Sequence, residues 1–538
     1  VTRFRSLPRR TLAWLCALLL LLSVLPLYAL ALYNHSFYDD LGFSLLTRAA
    51  WQQTGSLAAV LEAAVRNTVG IRQTWEGTYT TSFLSALQPS VFGEGAYWIT
   101  TFLLLTCFLL AVGYFLRQTL SGLYGMDRTT VVTAYGILGF VLVQFVPDAA
   151  EAFYWYNGGV AYTLLWSVML LEAGVWLAFE RASGKARNVW LFGLLVALTV
   201  LVGGAKYSTV LFAALLAVCF TVWAFWHRRP KRWAYLLLTL LLLGCFAFSA
   251  MAAGNSVRAK TLGGGLSAPK AVLEALYFGV ALIGHSFSLP LLAALILLVP
   301  LSAPALRQSS FRFAHPVWVT GLAVALFCAQ LAPTLYTGNY LGDGRVLDTY
   351  HYTWVLTAAQ LVLYWTGWFL RRGERGLAPA DSAPEPPTER PEMPLTDGES
   401  APAVPDALFS GGNVLLTENR LKAATLALVA GMLLMGCLAY HPDGSQSYGP
   451  QNMAGGSALR SVLSGEAAAF SAAMDARDAE LNDPALQDVE LIPVEGAPAN
   501  LMGDALSGDN LDYVLRLYTE YYNKATVSVA ETEGRHAP

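Results

Sequence analysis

The chain has 538 residues, of which 55% are hydrophobic and only 13% charged, with a formal net charge of -3. So small a net charge, without any basic tract dense enough to neutralise a row of phosphates, excludes a nucleic-acid binder. Apolar runs of about 17–22 residues recur along most of the length, enough to cross a hydrocarbon layer of about 30 Å, and they imply an all-α polytopic membrane protein.

The first run, Leu12–Tyr33, follows Arg3, Arg5, Arg9 and Arg10. It is longer than a signal-peptide core and no small-x-small cleavage site closes it, so it reads as a retained anchor. Further spans are predicted at Tyr97–Leu116, Thr130–Val146, Val160–Phe179, Val189–Leu201, Thr209–Phe225, Trp233–Met251, a kinked segment ending near Leu301, Val317–Tyr336, Tyr352–Leu370 and Ala423–Tyr440. That makes about eleven, each helical because backbone groups cannot stay unpaired in lipid. Arg/Lys clusters before Leu12, at Arg117/Arg128, Arg181/Lys185/Arg187, Arg228–Arg232, Arg307/Arg312, Arg371/Arg372/Arg375 and Arg420/Lys422 all fall on one side of this arrangement. By the positive-inside rule that side is the cytoplasm, and segments 34–96, 148–159, 254–288 and 337–350 face outward.

Four regions follow: a ten-span core over 1–370 with its outer loop 34–96, a disordered Pro-rich cytoplasmic linker over 371–421, a last span at 422–440, and an extracytoplasmic unit over 441–538. In that last unit Leu459, Leu463, Ala467, Phe470, Met474 and Leu481, and then Leu511, Val514, Leu515, Tyr518, Tyr521 and Tyr522, recur at helical spacing. Strand-like pieces at Val489–Val494 and Thr526–Val529 complete a small α/β unit. In the outer loop, Leu46, Ala50, Leu57, Leu61 and Val65 predict one or two amphipathic helices at the membrane interface. The six cysteines lie in apolar runs and read as small packing residues, without a disulfide framework or zinc spacing.

Tyr38-Asp39-Asp40 stands directly after the first apolar run. A carboxylate there meets an acceptor from outside and a lipid-borne donor from the bilayer, and it suits general-base activation of a sugar hydroxyl. The second carboxylate orients the first, binds sugar hydroxyls, or shares a divalent cation with it; capping the helix end is the plain alternative. A departing lipid phosphate needs positive charge, and the outward cations are Lys206, Arg258 and Arg345, against the alternative of snorkelling to headgroups. Trp75 and Tyr79 in one outer segment, with Tyr154, Trp155 and Asn157 in another, are candidates for stacking on sugars or for an interfacial belt. Asp148 and Glu151 line the same cavity or mark the water boundary. His285 is a weaker candidate, read more simply as a structural histidine.

With these residues in place, the chain resembles the GT-C superfamily of integral-membrane glycosyltransferases, which carry an essential acid in the first outer loop, where Asp39 and Asp40 stand. Over almost its whole length it also resembles a bacterial multi-pass family of unknown function, through the Asp pair, Trp75-x-Gly77, Tyr154-Trp155, Gly254-Asn255-x-x-Arg258, Arg345, Ser464-Gly465-Glu466 and Tyr521-Tyr522. Where such relatives are expected to carry Arg after Trp-x-Gly, this chain has Thr78, and no second outer Asp-x-Asp is present. The resemblance implies transfer of a sugar from a polyprenyl-phosphate carrier to a surface glycan, glycolipid or wall polymer at a bacterial plasma membrane. In that reading Asp39 or Asp40 is the base and Lys206, Arg258 and Arg345 hold the phosphate, with an inverting displacement as the simpler course. Transport or flipping of lipid-linked saccharides, which would show internal repeats or broken helices, and a non-enzymatic assembly role for the tail are the competing expectations.

Overall fold

The computed structural model describes residues 9–261, 263–375, 418–440, 446–507 and 510–530. They form a bundle that is helical almost throughout, with a small α/β unit on one end. Eight of the described helices are long and apolar enough to cross a membrane, which makes this an all-α polytopic membrane protein.

Helix α1 (Arg9–Leu30) is followed by α2 (Tyr38–Thr54) and α3 (Leu57–Thr74). The amphipathic stretch is thus two helices, turned on Gly55, whose φ of 59° lies in the left-handed region that glycine tolerates. Leu57, Leu61 and Val65 form an exposed apolar stripe along α3, the face an interface-lying helix presents to lipid. Short α4 (Tyr79–Ser85) leads into α5 (Ile99–Leu116) and α6 (Arg128–Gln144). The single turn α7 (Tyr156–Gly159) is bracketed by π-helical turns at Ala150–Tyr154 and Val160–Leu164, before α8 (Leu165–Arg181). Helix α6 lies close along α1 because glycines face it: a Cβ on Gly136 would come within 2.5 Å of the Cys16 carbonyl oxygen.

Three apolar helices follow, α9 (Lys185–Gly203), α10 (Tyr207–Trp226) and α11 (Arg232–Ala250), and α12 (Ala253–Thr261) folds back against α3. The segment 254–288, expected as an outer loop, carries a further helix, α13 (Ala268–His285), and the span expected to end near Leu301 is α14 (Leu289–Gln308), started by Ser288 and Pro290 and carrying Pro300 and Pro304. The expected Val317–Tyr336 span is present as Pro316–Gly338, one of the eight, with a two-residue turn dividing it into α15 (Pro316–Ala329) and α16 (Ala332–Gly338). Helix α17 (Gly344–Arg375) runs for 32 residues, into the stretch expected to be linker, and α18 (Glu418–Gly436) starts before that stretch was expected to end. The remainder of the linker, 376–417, lies outside the described residues.

The basic loops meet at one end of the bundle. Arg181 donates to Gln118, Arg229 pairs with Glu180, Lys231 donates to the carbonyls of Phe179 and Ala182, and Arg371 donates to the carbonyl of Phe311. The opposite end carries α2–α4 and the C-terminal unit.

In that unit a short antiparallel pair, β1 (Leu438–Tyr440) and β2 (Gln446–Tyr448), precedes α19 (Ala454–Leu463) and α20 (Glu466–Asn482). The two helices part at Gly465, where φ is 81°. Strands β3 (Asp488–Leu491) and β4 (Thr526–Val529) pair in parallel, with α21 (Leu511–Tyr522) before β4. Helix α19 packs on α1 and α21 on α2. The second apolar core of the molecule is built from Leu481, Val489, Leu491, Val514, Tyr518 and Val527 around Leu41 of α2. Tyr521 reaches further, its hydroxyl meeting Gln88 Nε2 at 3.2 Å and Ser90 Oγ at 3.1 Å.

Candidate active site

The two adjacent aspartates are placed by α2 in different surroundings. Asp40 is the third residue of the helix, and its Oδ2 accepts from the Phe37 backbone N–H at 3.0 Å, closing a capping box. The same oxygen accepts from the Tyr97 hydroxyl, while Oδ1 accepts from the Asn157 backbone N–H at 3.0 Å. Tyr97 Oη in turn accepts from the Tyr156 N–H at 3.0 Å. Asp40 thereby ties α2 to the start of α5 and to α7. It is fully buried, and burial pushes its carboxyl up to about 7 against the opposing pull of these three donors.

Asp39 is recessed but accessible, and among the described residues its carboxylate makes no hydrogen bond or ion pair. Burial raises its pKa, while the fields of Arg345, Lys206 and Arg258 pull it down. It faces the three cations, whereas Asp40 is committed to its own donors. Three protein donors already occupy most of the acceptor sites of Asp40, so a divalent cation shared by the two aspartates would have to compete with them.

The cations are organised by an acid that the sequence reading passed over. Glu76 is 2% exposed; Lys206 Nζ lies 2.7 Å from each of its oxygens, Arg258 pairs with Oε2, and Thr78 Oγ1 donates at 2.8 Å to Oε1. Lys206 and Arg258 overcome its burial and hold the carboxyl down at about 2, while burial lowers Lys206 to about 8. Thr78, standing where relatives are expected to carry Arg, orients Glu76.

Two glycines let the chain segments meet here. A Cβ on Gly77 would lie 1.9 Å from the Ser249 carbonyl oxygen, and one on Gly254 would lie 2.5 Å from the Trp75 nitrogen. Asn255 secures the junction, its Oδ1 accepting from Gly77 N at 3.1 Å and Tyr207 Oη at 2.9 Å, and its Nδ2 donating to the Ser249 and Ala250 carbonyls. The Trp75-x-Gly77 and Gly254-Asn255-x-x-Arg258 motifs are thus two halves of one lock, with the Arg258 guanidinium 5.5 Å from the centre of the Trp75 ring.

Arg345, at the start of α17, pairs with Glu151 at 2.9 Å and Asp343 at 2.8 Å, and its backbone N–H donates to Glu151 Oε2 at 2.7 Å. Its guanidinium lies 4.8 Å from the centre of the Trp155 ring. Asp148 caps the turn that carries Glu151, accepting from the Glu151 N–H at 3.0 Å. Around this point, buried polar groups lack partners among the described residues: both side-chain atoms of Asn157 and the Trp155 indole N–H. A buried donor or acceptor left unpaired costs about 1–3 kcal/mol, so these groups are suited to a polar ligand. The C-terminal unit reaches the rim, where Tyr513 meets Tyr38 edge-on at 6.3 Å.

Tyr79 sits beside an apolar groove of about 430 Å³, lined also by Leu240, Leu241, Gly244, Cys245 and Phe248, and its hydroxyl is used on the Val200 carbonyl at 2.5 Å. Arg72 lies 3.7 Å over the Phe248 ring at the same place.

The structure therefore brings Asp39, Asp40, Lys206, Arg258, Arg345, Glu151, Trp155 and Asn157 into one region, with Trp75 and Tyr79 on its flank. It takes two candidates away. Tyr154 is fully buried, and its hydroxyl donates at 2.8 Å to the Leu27 carbonyl while its own carbonyl accepts from Asn34 at 2.7 Å, so it fastens α1. His285 is exposed at the end of α13 and its Nδ1 lies 2.8 Å from the Ala281 oxygen of its own helix. Sequence reasoning missed Glu76, Tyr97 and Asp343; for Glu76 the available signal was an acid inside a tryptophan-glycine motif.

Compared with known protein families, with curated proteins and with solved structures, the chain matches none.

Proposed function

We propose that the protein is a glycosyltransferase of GT-C type that moves a sugar from a polyprenyl-phosphate carrier to a surface glycan, glycolipid or wall polymer. The observation that carries the reading is an uncommitted, recessed carboxylate, Asp39, facing a preorganised set of cations beside buried polar groups that lack partners. Asp39 accepts the proton of the acceptor hydroxyl as its oxygen bonds to the anomeric carbon. The bond from that carbon to the phosphate oxygen breaks, and its electron pair leaves with the phosphate. A base whose pKa is raised toward the working pH suits this task. Lys206 and Arg258 together exceed the charge of Glu76 by one and receive the phosphate. Arg345, already balanced by Glu151 and Asp343, positions Trp155. Asn157 and the Trp155 N–H take sugar hydroxyls, and the groove beside Tyr79 takes the first isoprene units.

In this reading about eleven spans cross a bacterial plasma membrane. The basic end lies in the cytoplasm, with the N-terminal segment, and the C-terminal unit lies outside.

The test is transfer of radiolabelled sugar from a panel of polyprenyl-phosphate sugars by the full chain in nanodiscs, with and without a chelator. Carrier-dependent product that is lost in Asp39→Asn, while that variant still binds carrier, supports the proposal. Saturable binding of lipid-linked sugar without turnover on any donor, or product unchanged in Asp39→Asn, overturns it; the first of these favours a transporter, to which the break between α15 and α16 is also suited.

A further inference from the structure

A second polar feature lies inside the bundle, well away from Asp39. Glu172 is on α8, fifteen residues beyond Asn157, which corresponds to roughly 20 Å of helical rise. It is 4% exposed, in a helix long and apolar enough to cross a membrane. Thr199 Oγ1 of α9 donates to its Oε1 at 2.6 Å, and among the described residues no cation pairs with it. An ionisable group at such a depth is costly, and it ordinarily marks a functional position.

Glu172 also lines a half-open cavity of about 230 Å³ bordered by α5, α8, α10, α11 and α17, far more than one water needs. The wall is largely apolar, with Met169, Ala217 and Phe220 among its residues, and its other polar groups are Thr119, Gln360 and the Trp176 indole, whose N–H also bonds the Glu172 carboxyl. Gln360 Nε2 spends its hydrogen bond on Thr119 Oγ1 at 3.4 Å, a long contact that a better acceptor would replace. An acceptor and an amide donor thus line an apolar chamber. A hydroxyl serves both, since it donates one hydrogen bond and accepts others. An ammonium would satisfy Glu172 alone and would give up far more hydration on the way in.

We propose that this cavity is a binding site for a membrane-dissolved aliphatic alcohol, with the hydroxyl held between Glu172 and Gln360 and the chain among Trp176, Ala217 and Phe220. The site is separate from the Asp39 region and needs no sugar transfer to operate.

Dicyclohexylcarbodiimide, an apolar reagent that adds to carboxylic acids in lipid-like surroundings, tests this on the full chain in nanodiscs, read by peptide mass spectrometry. The adduct is expected on Glu172, is lost in Glu172→Gln, and is suppressed in Ala217→Phe, which puts a ring in the cavity. In the wild-type protein 1-dodecanol should protect Glu172 at about tenfold lower concentration than dodecane, the worth of one buried hydrogen bond. Equal protection by dodecane, or no adduct on Glu172, overturns the proposal, and neither result depends on a variant folding.

Discussion

Glu76 and Asp40 are both carboxylic acids withdrawn from water, at 2% and 0% exposure, yet they are held in opposite states. Glu76 is surrounded by charge, and Lys206 and Arg258 bring its pKa down to about 2. Asp40 has dipoles as its only partners, and three donors do not offset the loss of water and the nearby charge of Asp39, so its pKa climbs to about 7. Burial does not decide whether an acid keeps its proton; the kind of partner does. One acid organises the cations, and the other holds the helix that presents Asp39.

The largest break in this comparison is Glu76→Gln. It strands Lys206 and Arg258 as neighbouring half-buried cations, and thermal unfolding in nanodiscs should show a loss of about 3 kcal/mol, the lower end for breaking a buried pair because both keep some contact with water. Gly254→Ala attacks the same basket through the backbone, since its new Cβ would lie 2.5 Å from the Trp75 nitrogen. It should cost about 1–3 kcal/mol and reduce carrier binding more than Asp39→Asn does. A circular-dichroism melt and a lipid-binding assay on the same sample check both parts.

Asp40→Asn should cost less, about 1–3 kcal/mol, because an amide nitrogen replaces an oxygen that accepts from a donor. It should also change the pH dependence of stability. Between about 3.8 and about 7 the folded protein retains a proton on Asp40 that the unfolded chain releases, so this contribution is complete below that window and fades as pH rises through it. Glu76 has the opposite sign: its contribution is present above 4.5 and is lost as pH falls toward about 2. Melting temperatures between pH 4 and 7 should therefore slope less steeply downward in Asp40→Asn than in wild type. The smallest effect belongs to Tyr97→Phe, about 0.5–1.5 kcal/mol, with the Asp40 pKa moving further up because a donor to its carboxylate is lost. Its titration, followed by infrared absorption of the carboxyl, reads that shift.

The parts of this site that were legible in the sequence are those set by local rules. The Asp pair after the first span, the placement of Lys206, Arg258 and Arg345 between or at the ends of apolar helices, and the helical spacing in the tail follow from hydropathy and charge placement. The roles did not follow, because they rest on distant partners. Tyr97 is 57 positions from Asp40 and Asn157 is 117, while Lys206 and Arg258 stand 130 and 182 positions from Glu76. No spacing rule joins such residues, so the two aspartates read as equivalent when only Asp39 is uncommitted. Tyr154 and Trp155 read as one aromatic pair, yet Tyr154 is turned inward to the Leu27 carbonyl while Trp155 takes its place beside Arg345. Helix α13 reads as outer loop in the sequence, although Val272, Leu276 and Ile283 recur in it at helical spacing.

The packing of the tail around Leu41 sets an order of events in the making of this protein. Arg48 of α2 donates to the Ser90 and Val91 carbonyls 42 and 43 positions on but meets Asn482 only 434 positions later, and α21 follows further on. While the chain is being synthesised, the helix bearing Asp39 is in place long before anything holds its outer flank. A nascent chain therefore has its cations gathered around Glu76 well before the second apolar core closes over α2, and the flank of the helix bearing Asp39 is completed only when the tail docks. Stalled or truncated products are left with an unfinished site, a safeguard that comes from connectivity alone.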